Sequence, residues 1–324
     1  MPSLQTVPLP VRRAGAAAVR RYGVATARWR VTPDFLIIGS KRGGTTTLFE
    51  ALRRHPDVEP IFPAVEQMKS PHYFDLEFRR GPRWYRSHFA TRRRMERLAA
   101  ERGVRPVTGE ASPYYLFHPH AADRVAAALP DARLLVLLRD PVTRAFSHHW
   151  DRLKDGIETL PFAEAVAAEP GRLAGERERL LADPLASSER YEHHSYLERG
   201  RYAVQLERWL AHFPREQLLV LRSEDFYADP AAMYAHVTAF LRIRPHAPAE
   251  FGRHHAHADR PQRIEPALRE ELGRRFADDN RALAELLGTP VWWDERGATT
   301  LEAPGVALGA AGSGAAPRAL AVAG

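Results

Sequence analysis

Three short apolar runs mark the chain at wide intervals. The segments DFLIIG (34–39), RLLVLL (133–138) and QLLVLRSEDF (217–226) lack polar alternation, which is typical of parallel strands buried on both faces. Apolar residues at helical spacing predict helices over 45–55, 119–129, 161–182, 201–213, 230–241 and 266–287. This alternation of strands and helices predicts an α/β fold, with a central parallel sheet and helices on both faces.

A glycine-rich loop follows the first predicted strand. In GSKRGGTTTLFEAL (39–52), two glycines have the spacing of a phosphate-binding loop, but Thr45 stands where a nucleotide kinase has lysine. Amides at a helix N-terminus attract anions, and cations nearby add fixed charge. The predicted anion site comprises Lys41, Arg42, Gly43, Gly44, Thr45 and Thr46. Without a lysine after the glycines, the loop favours a short anion, such as one 5′-phosphate bearing a further group.

The two ends of the chain differ from its middle in composition. Of the net charge of +7, residues 1–31 supply +6, from six arginines without an acid. We predict a basic arm over 1–31, disordered or helical, with weak contact to an anionic membrane as the alternative. A folded domain should span 32–295, and the Ala/Gly-rich residues 296–324 should be a disordered tail. No apolar stretch approaches about 20 residues, and we expect a cytoplasmic location, with peripheral membrane contact as a variant.

The chain contains no cysteine, which excludes disulfides, thiolate metal sites and a cysteine nucleophile. His254, His255 and His257 lie close together, but they have no evident carboxylate partner. We therefore predict no metal site.

Seven segments, in order, resemble one enzyme family. They are DFLIIGSKRGGTTTLFEALRRHPDV, KSPHYFD, GEASPYYL, LLVLLRDPVTRAFSHHW, YLERGRYAVQLERWLAHFP, EDFYADP and LREELGRRFADDNRALAELLG. Together they resemble the sulfotransferases that use 3′-phosphoadenosine 5′-phosphosulfate (PAPS), especially bacterial and Golgi members such as heparan sulfate sulfotransferases. The resemblance extends over about residues 34–295 and implies a P-loop-like three-layer sandwich.

The resemblance implies a sulfotransferase that moves a sulfuryl group from PAPS to a hydroxyl or amine, leaving adenosine 3′,5′-bisphosphate (PAP) and requiring no metal. The acceptor would be a carbohydrate, a lipid or a small metabolite, and no nucleic-acid partner is implied. Arg139 and Ser147 match the positions that hold the 3′-phosphate. Arg260 and Arg263 fall near a loop that closes over the cofactor, and Tyr202 either packs near the adenine or belongs to the core.

Three positions depart from the family pattern. Arg42 occupies a place where relatives commonly have lysine, so that Lys41 becomes an alternative cation near the leaving oxygen. Ser70 replaces the glutamate that serves relatives as catalytic base, and Ala111 replaces a lysine of the heparan sulfate enzymes.

The missing glutamate leaves the base to another residue. His72 is the first candidate, since its ordinary pKa is near 6.5, and Asp75 would orient it or act as base itself. Glu66 and Glu110 are further carboxylates, and Lys69 would lie near the sulfate. A P-loop kinase or NTPase, and a non-catalytic nucleotide-binding relative, are the alternative functions.

Overall fold

The computed structural model describes residues 9–64, 68–246, 248, 251, 263–294, 297–298 and 306–307, with side chains from residue 17 to 294. Its central sheet has five parallel strands in the order β2-β3-β1-β4-β5, and a short antiparallel strand, β8, pairs with β5. The strands are β1 (Phe35–Gly39), β2 (Val58–Glu59), β3 (Val107–Ala111), β4 (Arg133–Leu138), β5 (Leu218–Arg222) and β8 (Val306–Ala307); β6 (Trp293–Asp294) and β7 (Gly297–Ala298) form a separate pair.

Helices cover both faces of this sheet, as predicted. In chain order they are α1 (Leu9–Ala25), α2 (Thr45–Arg53), α3 (Gly81–Arg86), α4 (Arg92–Arg102), α5 (Ala121–Ala128), α6 (Pro141–Lys154), α7 (Phe162–Leu173), α8 (Glu176–Ala182), α9 (Glu189–His193), α10 (Tyr202–Leu210), α11 (Ser223–Ala228), α12 (Pro230–Leu241), α13 (Pro266–Arg275) and α14 (Ala277–Leu287).

The continuous apolar runs follow from burial on both sides. In β4, Leu134 and Val136 pack into one core cluster with α5, α10 and α14, whereas Leu135 and Leu137 pack into another with α2 and α12. Successive strand residues point to opposite faces, so a strand covered on both needs apolar residues at every position.

Several predicted boundaries were wrong, each for a local reason. The run 217–226 is not all strand, because α11 begins at Ser223. The helix predicted over 161–182 breaks at Gly175, whose φ is 73°, and the one over 266–287 divides at Phe276. Strands β2 and β3 were not predicted, because β3 has the polar sequence VTGEA although all five residues are buried.

The arm contains a helix, which is one of the two forms expected for it, and two segments of the tail have regular backbone. Helix α1 lies against α3, and Arg20 donates hydrogen bonds to the carbonyl and hydroxyl oxygens of Ser87. Two segments of the predicted tail, β7 and β8, have strand backbone, so that part of the expectation of disorder does not hold. No helix among the described residues has the length and apolar character needed to cross a bilayer.

The strand order fixes where a ligand can reach the sheet. In the sheet, β3 and then β2 lie on one side of β1, whereas β4 and then β5 lie on its other side. The loops that follow β1 and β4 therefore lie side by side at the carboxyl edge, where open α/β sheets bind ligands.

Candidate active site

The loop after β1 is drawn tightly against the end of β4. Ser40 donates from both its amide and its hydroxyl to the Leu137 carbonyl, at 2.9 and 2.8 Å. The Gly43 amide donates to the Ser40 carbonyl at 2.9 Å. This last bond corrects one expectation: the Gly43 amide is occupied within the loop and does not face an anion.

The two glycines of the turn are required for different reasons. A Cβ on Gly43 would lie 2.4 Å from the Leu137 carbonyl oxygen, so the loop could not pack against β4 with a larger residue. Gly44 has φ 98°, a left-handed conformation that glycine adopts without strain, and it precedes the first turn of α2. The first amides of an α-helix have no intrahelical acceptor, which leaves those of Thr45 and Thr46 for an anion.

The loop makes direct contact with α6, 105 residues further along the chain. Arg42 donates from Nε to Ser147 Oγ at 3.1 Å and from Nη1 to Asp151 Oδ1 at 2.9 Å. Ser147 and Asp151 are one helical turn apart, so both face the loop. The phosphosulfate-loop segment and the 3′-phosphate segment of the resemblance are thus in contact, and Arg42 is turned toward the predicted 3′-phosphate side.

A cavity of about 270 Å³ lies at the carboxyl edge of the sheet, between the loop after β1, helix α6 and the segment that contains Lys69. We call it the loop cavity. It is lined by Lys41, Arg42, Gly44, Thr45, Thr46, Lys69, Pro113, Arg139, Ser147, Asp151 and Tyr227. Four lining residues are cationic and one is anionic. Within the described part of the chain, neither the Lys41 ammonium nor the Arg139 guanidinium has a hydrogen-bond or ion-pair partner. Cations held in this way require an anion, so the cavity fits a ligand bearing phosphate or sulfate groups.

Lys69 supplies the charge at the N-terminus of α2. Its Nζ donates to Thr45 Oγ1 at 3.1 Å and to Thr46 Oγ1 at 2.8 Å. The cation next to the first-turn amides is therefore Lys69, not Arg42. A group bound there would contact an ammonium, two hydroxyls and the helix N-terminus together.

Burial lowers the pKa of both lysines in this cavity. The pKa of Lys41 falls to about 7, because burial and then the nearby Arg199 and Arg152 charges disfavour its ammonium. The pKa of Lys69 falls to about 8, also mainly through burial. A bound anion would reverse these shifts, since opposite charges stabilise the protonated amine.

Segment 69–75 is fastened to the end of β3. The Lys69 carbonyl accepts from the Ala111 amide at 3.0 Å, and the Ser70 hydroxyl donates to the Ala111 carbonyl. The His72 amide donates to Ser112 Oγ at 3.1 Å. Ser70 is therefore a structural hydroxyl that cannot act as an unaided base.

His72 and Asp75 form a pair of side chains at 2.9 Å, from Nδ1 to Oδ2. Asp75 is buried, whereas the His72 side chain is 32% exposed and has φ 51°. No described residue bonds to His72 Nε2. Burial alone would lower the His72 pKa, but the charge and hydrogen bond of Asp75 outweigh it and raise the pKa above its ordinary value. With the Nδ1 proton on the Asp75 side, Nε2 is left as a proton acceptor.

Glu110 lies beneath this pair and is completely buried. Ser112 Oγ donates to its Oε2 at 2.7 Å, and the Tyr85 hydroxyl donates to its Oε1 at 3.2 Å. Burial raises the Glu110 pKa to about 7. A carboxyl without exposed surface cannot reach an acceptor hydroxyl, so the geometry disfavours Glu110 as the base.

Other predicted site residues lie elsewhere. Tyr202 is 1% exposed, and its hydroxyl donates to the Arg139 carbonyl at 2.8 Å, so it belongs to the core and cannot stack on an adenine. Arg263 is exposed and does not line the loop cavity. Glu66, Arg260 and the histidines at 254, 255 and 257 lie outside the described residues. Among those described, no three His, Asp or Glu side chains are grouped as a metal site would require.

Three lining residues were missed from the sequence. Asp151 could have been found, since it lies four residues after Ser147, a spacing that places both on one face of a helix. Tyr227 lies beyond the carboxyl end of β5, where ligands are expected, but the strand predicted over 217–226 placed that end too late in the chain. Pro113 had no distinguishing pattern.

The chain belongs to the sulfotransferase domain family, whose model matches residues 32–259. This confirms the family inferred from the seven motifs and leaves the kinase alternative without support. A solved structure of a sulfotransferase from Alicyclobacillus acidocaldarius is 32% identical, covers 80% of this chain and 97% of its own, and superposes with a TM-score of 0.58.

Two human proteins represent the curated relatives. Heparan sulfate glucosamine 3-O-sulfotransferase 3B1 from Homo sapiens is 34% identical over 212 residues, which is 65% of this chain and 46% of the relative. Bifunctional heparan sulfate N-deacetylase/N-sulfotransferase 3 from Homo sapiens is 30% identical over 218 residues, or 66% of this chain and 23% of the relative. The matched region thus spans less than half the length of these relatives.

Proposed function

We propose that the protein transfers a sulfuryl group from PAPS to a hydroxyl or amine of an acceptor, with a carbohydrate as the first class to test. The single observation that carries the proposal is the loop cavity, in which the Lys41 and Arg139 side chains have no hydrogen-bond or ion-pair partner among the described residues. The cavity lies within the region that the sulfotransferase family model matches. The carbohydrate class rests on the names of the relatives, which are heparan sulfate sulfotransferases. A lipid or a small metabolite is the alternative acceptor.

The two ends of the cavity have separate tasks. Lys69, Thr45 and Thr46 would hold the 5′-phosphosulfate, because they surround the N-terminus of α2. Arg139 and Ser147 would hold the 3′-phosphate, with Arg42 bridging the two ends through its bond to Ser147. Lys41 also lines the cavity, and its ammonium would stabilise the negative charge that develops on the leaving oxygen.

His72 is the proposed general base. Its Nε2 would accept the proton of the acceptor hydroxyl while that oxygen forms its bond to sulfur and the bond from sulfur to the 5′-phosphate oxygen breaks. Asp75 would orient the imidazole and stabilise its protonated form, as the 2.9 Å bond permits. Every charge that this scheme uses comes from a side chain or a helix N-terminus.

Two measurements test the function and separate it from its alternatives. Calorimetry should show binding of PAP that exceeds binding of ATP with Mg²⁺, since only PAP offers a 3′-phosphate to Arg139. Labelled sulfate should then pass from PAPS to a member of a panel of saccharide, lipid and amine acceptors. Preference for ATP with Mg²⁺ would contradict the proposal, and PAP binding without transfer to any acceptor would support a non-catalytic relative.

We infer a cytoplasmic enzyme, in which the basic arm makes at most weak contact with a membrane. Fractionation of the host cell, with detection of the full chain, tests this inference.

A further inference from the structure

A second cavity, of about 540 Å³, lies at the opposite edge of the sheet, and we call it the basic cavity. It opens where β1 and β4 begin, whereas the loop cavity lies where they end. The five or six residues of these strands separate the two cavities by roughly 15–20 Å. The charged wall of the basic cavity is formed by Arg30, Arg86, Arg92, Arg105 and Arg133.

Positive charge in this cavity is not balanced by the protein. Arg105 pairs with Asp34 at 2.8 Å, and Asp131 is the other acidic residue in the lining. Among the described residues, the side chains of Arg86, Arg92 and Arg133 have no hydrogen-bond or ion-pair partner. Three guanidinium groups are therefore available to a ligand.

One cationic wall residue is buried, which distinguishes the cavity from a solvated surface patch. Arg30 is 3% exposed, donates to the Phe89 carbonyl at 2.5 Å and to Thr26 Oγ1 at 2.9 Å, and lies 4.2 Å from the Phe62 ring centroid. These partners are neutral, and no carboxylate pairs with this guanidinium among the described residues. None of these partners lines the cavity, so the Arg30 guanidinium adds positive charge behind the wall. A buried charge without a counter-charge is costly, and an anion nearby in the cavity would offset part of that cost.

Helix α4 contributes a second unfavourable charge arrangement. Its first turn begins with Arg92, Arg93 and Arg94 and has no acidic residue. Cations at a helix N-terminus oppose the macrodipole by about 0.3–1 kcal/mol each. Arg94 is paired with Glu59, but Arg92 faces the cavity unpaired. This sequence is better suited to holding an external anion than to stabilising its own helix.

We propose that the basic cavity is a second anion-binding site, separate from the nucleotide site, for a hydrophilic ligand carrying phosphate or sulfate groups. Its volume exceeds that of one oxyanion, and eight of its fourteen lining residues are arginine, aspartate or threonine. A phosphorylated or sulfated polyol, or the headgroup of an anionic lipid, has both the charge and the size. The site does not depend on the proposed transfer reaction.

Calorimetry with sodium pyrophosphate, on the full chain saturated with PAP, tests the site without interference from the loop cavity. Arg92→Ala and Arg133→Ala should each weaken pyrophosphate binding by about 10–100-fold, the loss of a hydrogen bond to a charged group. Arg93→Ala is the matched control, since it removes the same charge from the same helical turn but does not line the cavity. It should change the affinity by less than about twofold. Unchanged PAP binding will show that each variant is folded.

Cosedimentation with phosphatidylcholine vesicles containing phosphatidylserine distinguishes the two sources of the anion. Capture that is lost in Arg92→Ala but kept in Arg93→Ala supports a lipid headgroup. Pyrophosphate binding without capture supports a soluble ligand. The proposal is overturned if the PAP-saturated chain binds neither probe, or if Arg93→Ala weakens binding as much as Arg92→Ala does.

Discussion

The loop cavity and segment 69–75 adjoin at the carboxyl edge of the sheet, but they differ in whether their polar and charged groups have partners within the protein. In the loop cavity, the side chains of Lys41 and Arg139 have no hydrogen-bond or ion-pair partner within the described part of the chain, so the site is arranged to receive an anion. In segment 69–75, Ser70, Asp75 and the neighbouring Glu110 have their hydrogen bonds satisfied within the protein. The loop cavity thus needs an anionic ligand as the partner of its cations. Segment 69–75 forms its hydrogen bonds within the protein, and His72 Nε2 stays available as a proton acceptor.

This difference indicates which region tolerates change. Anion binding is shared among several cations and amides, so replacement of one weakens it by a limited factor. Proton transfer depends on one atom in one protonation state, and replacement of that atom removes the whole contribution. We therefore expect the serine at position 70, where the resemblance implies a glutamate, to have a larger consequence than the arginine at position 42, where it implies a lysine.

The sharpest test of the comparison replaces His72. His72→Gln should lower kcat toward a hydroxyl acceptor by about 10²–10⁴-fold, the usual contribution of a general base. PAP affinity should be nearly unchanged, because the phosphates are bound in the loop cavity. Steady-state kinetics with PAPS and calorimetry with PAP measure the two quantities on the same variant.

The pH dependence of kcat provides a readout that a structural histidine would not alter. Asp75 raises the His72 pKa, and the base must be neutral, so kcat should increase as pH rises through a value above 6.5 and then level off. This limb should be absent in His72→Gln. Asp75→Asn should lower kcat by a smaller factor than His72→Gln does. If Asp75→Asn has the larger effect, the carboxylate is the base.

The sequence predicted the first region better than the second, for physical reasons. Glycines, cations and threonines at a strand–helix junction bind anions wherever such a loop occurs, and the apolar strands before it are easily recognised. The contact between Arg42 and Ser147 could not be predicted without the fold, because the two residues are 105 positions apart in the chain. The role of Ser70 could also be seen only in the folded structure. Its hydroxyl donates to the Ala111 carbonyl, which lies on β3, a strand that was not predicted.

That strand was missed because its polar residues are satisfied by distant partners. In β3, Thr108 is buried with its hydroxyl bonded to the Glu59 carbonyl at 2.9 Å, and Glu110 is buried against Tyr85 and Ser112. A polar pattern normally indicates exposure, and only the three-dimensional arrangement shows these bonds. Neither β3 nor the surroundings of His72 could therefore be predicted from the sequence, because both depend on hydrogen bonds between residues that are distant in the chain.

A smaller effect is expected from Arg139 in the first region. A forked arginine–phosphate contact contributes about 2–3 kcal/mol, so Arg139→Ala should weaken PAP binding by about 30–150-fold. Adenosine 5′-monophosphate, which lacks the 3′-phosphate, should bind equally to both forms. Arg93→Ala is the control for a general loss of positive charge. An equal loss for both nucleotides would show that Arg139 does not recognise the 3′-phosphate.

The smallest predicted effect comes from the charge state of Lys41, whose pKa in the free protein is about 7. A lysine is charged below its pKa, so this positive charge is lost as pH rises through 7. A bound phosphate restores the pKa, which means that binding at higher pH must also take up a proton. PAP affinity should therefore fall by about tenfold between pH 6.5 and 8, within the limit of tenfold per pH unit for one group. Calorimetry at several pH values in this interval measures the slope.

Replacement of Lys41 by arginine separates this cause from others. Arginine stays protonated throughout the interval, so Lys41→Arg should bind PAP with nearly constant affinity. The second ionisation of a phosphate, near pH 6, lies below the interval and cannot produce the slope. Lys69, with a pKa of about 8, begins to lose its proton only at the upper end. If the slope persists in Lys41→Arg, another group near the phosphates controls it, and Lys41 is not a part of the anion site in its charged form.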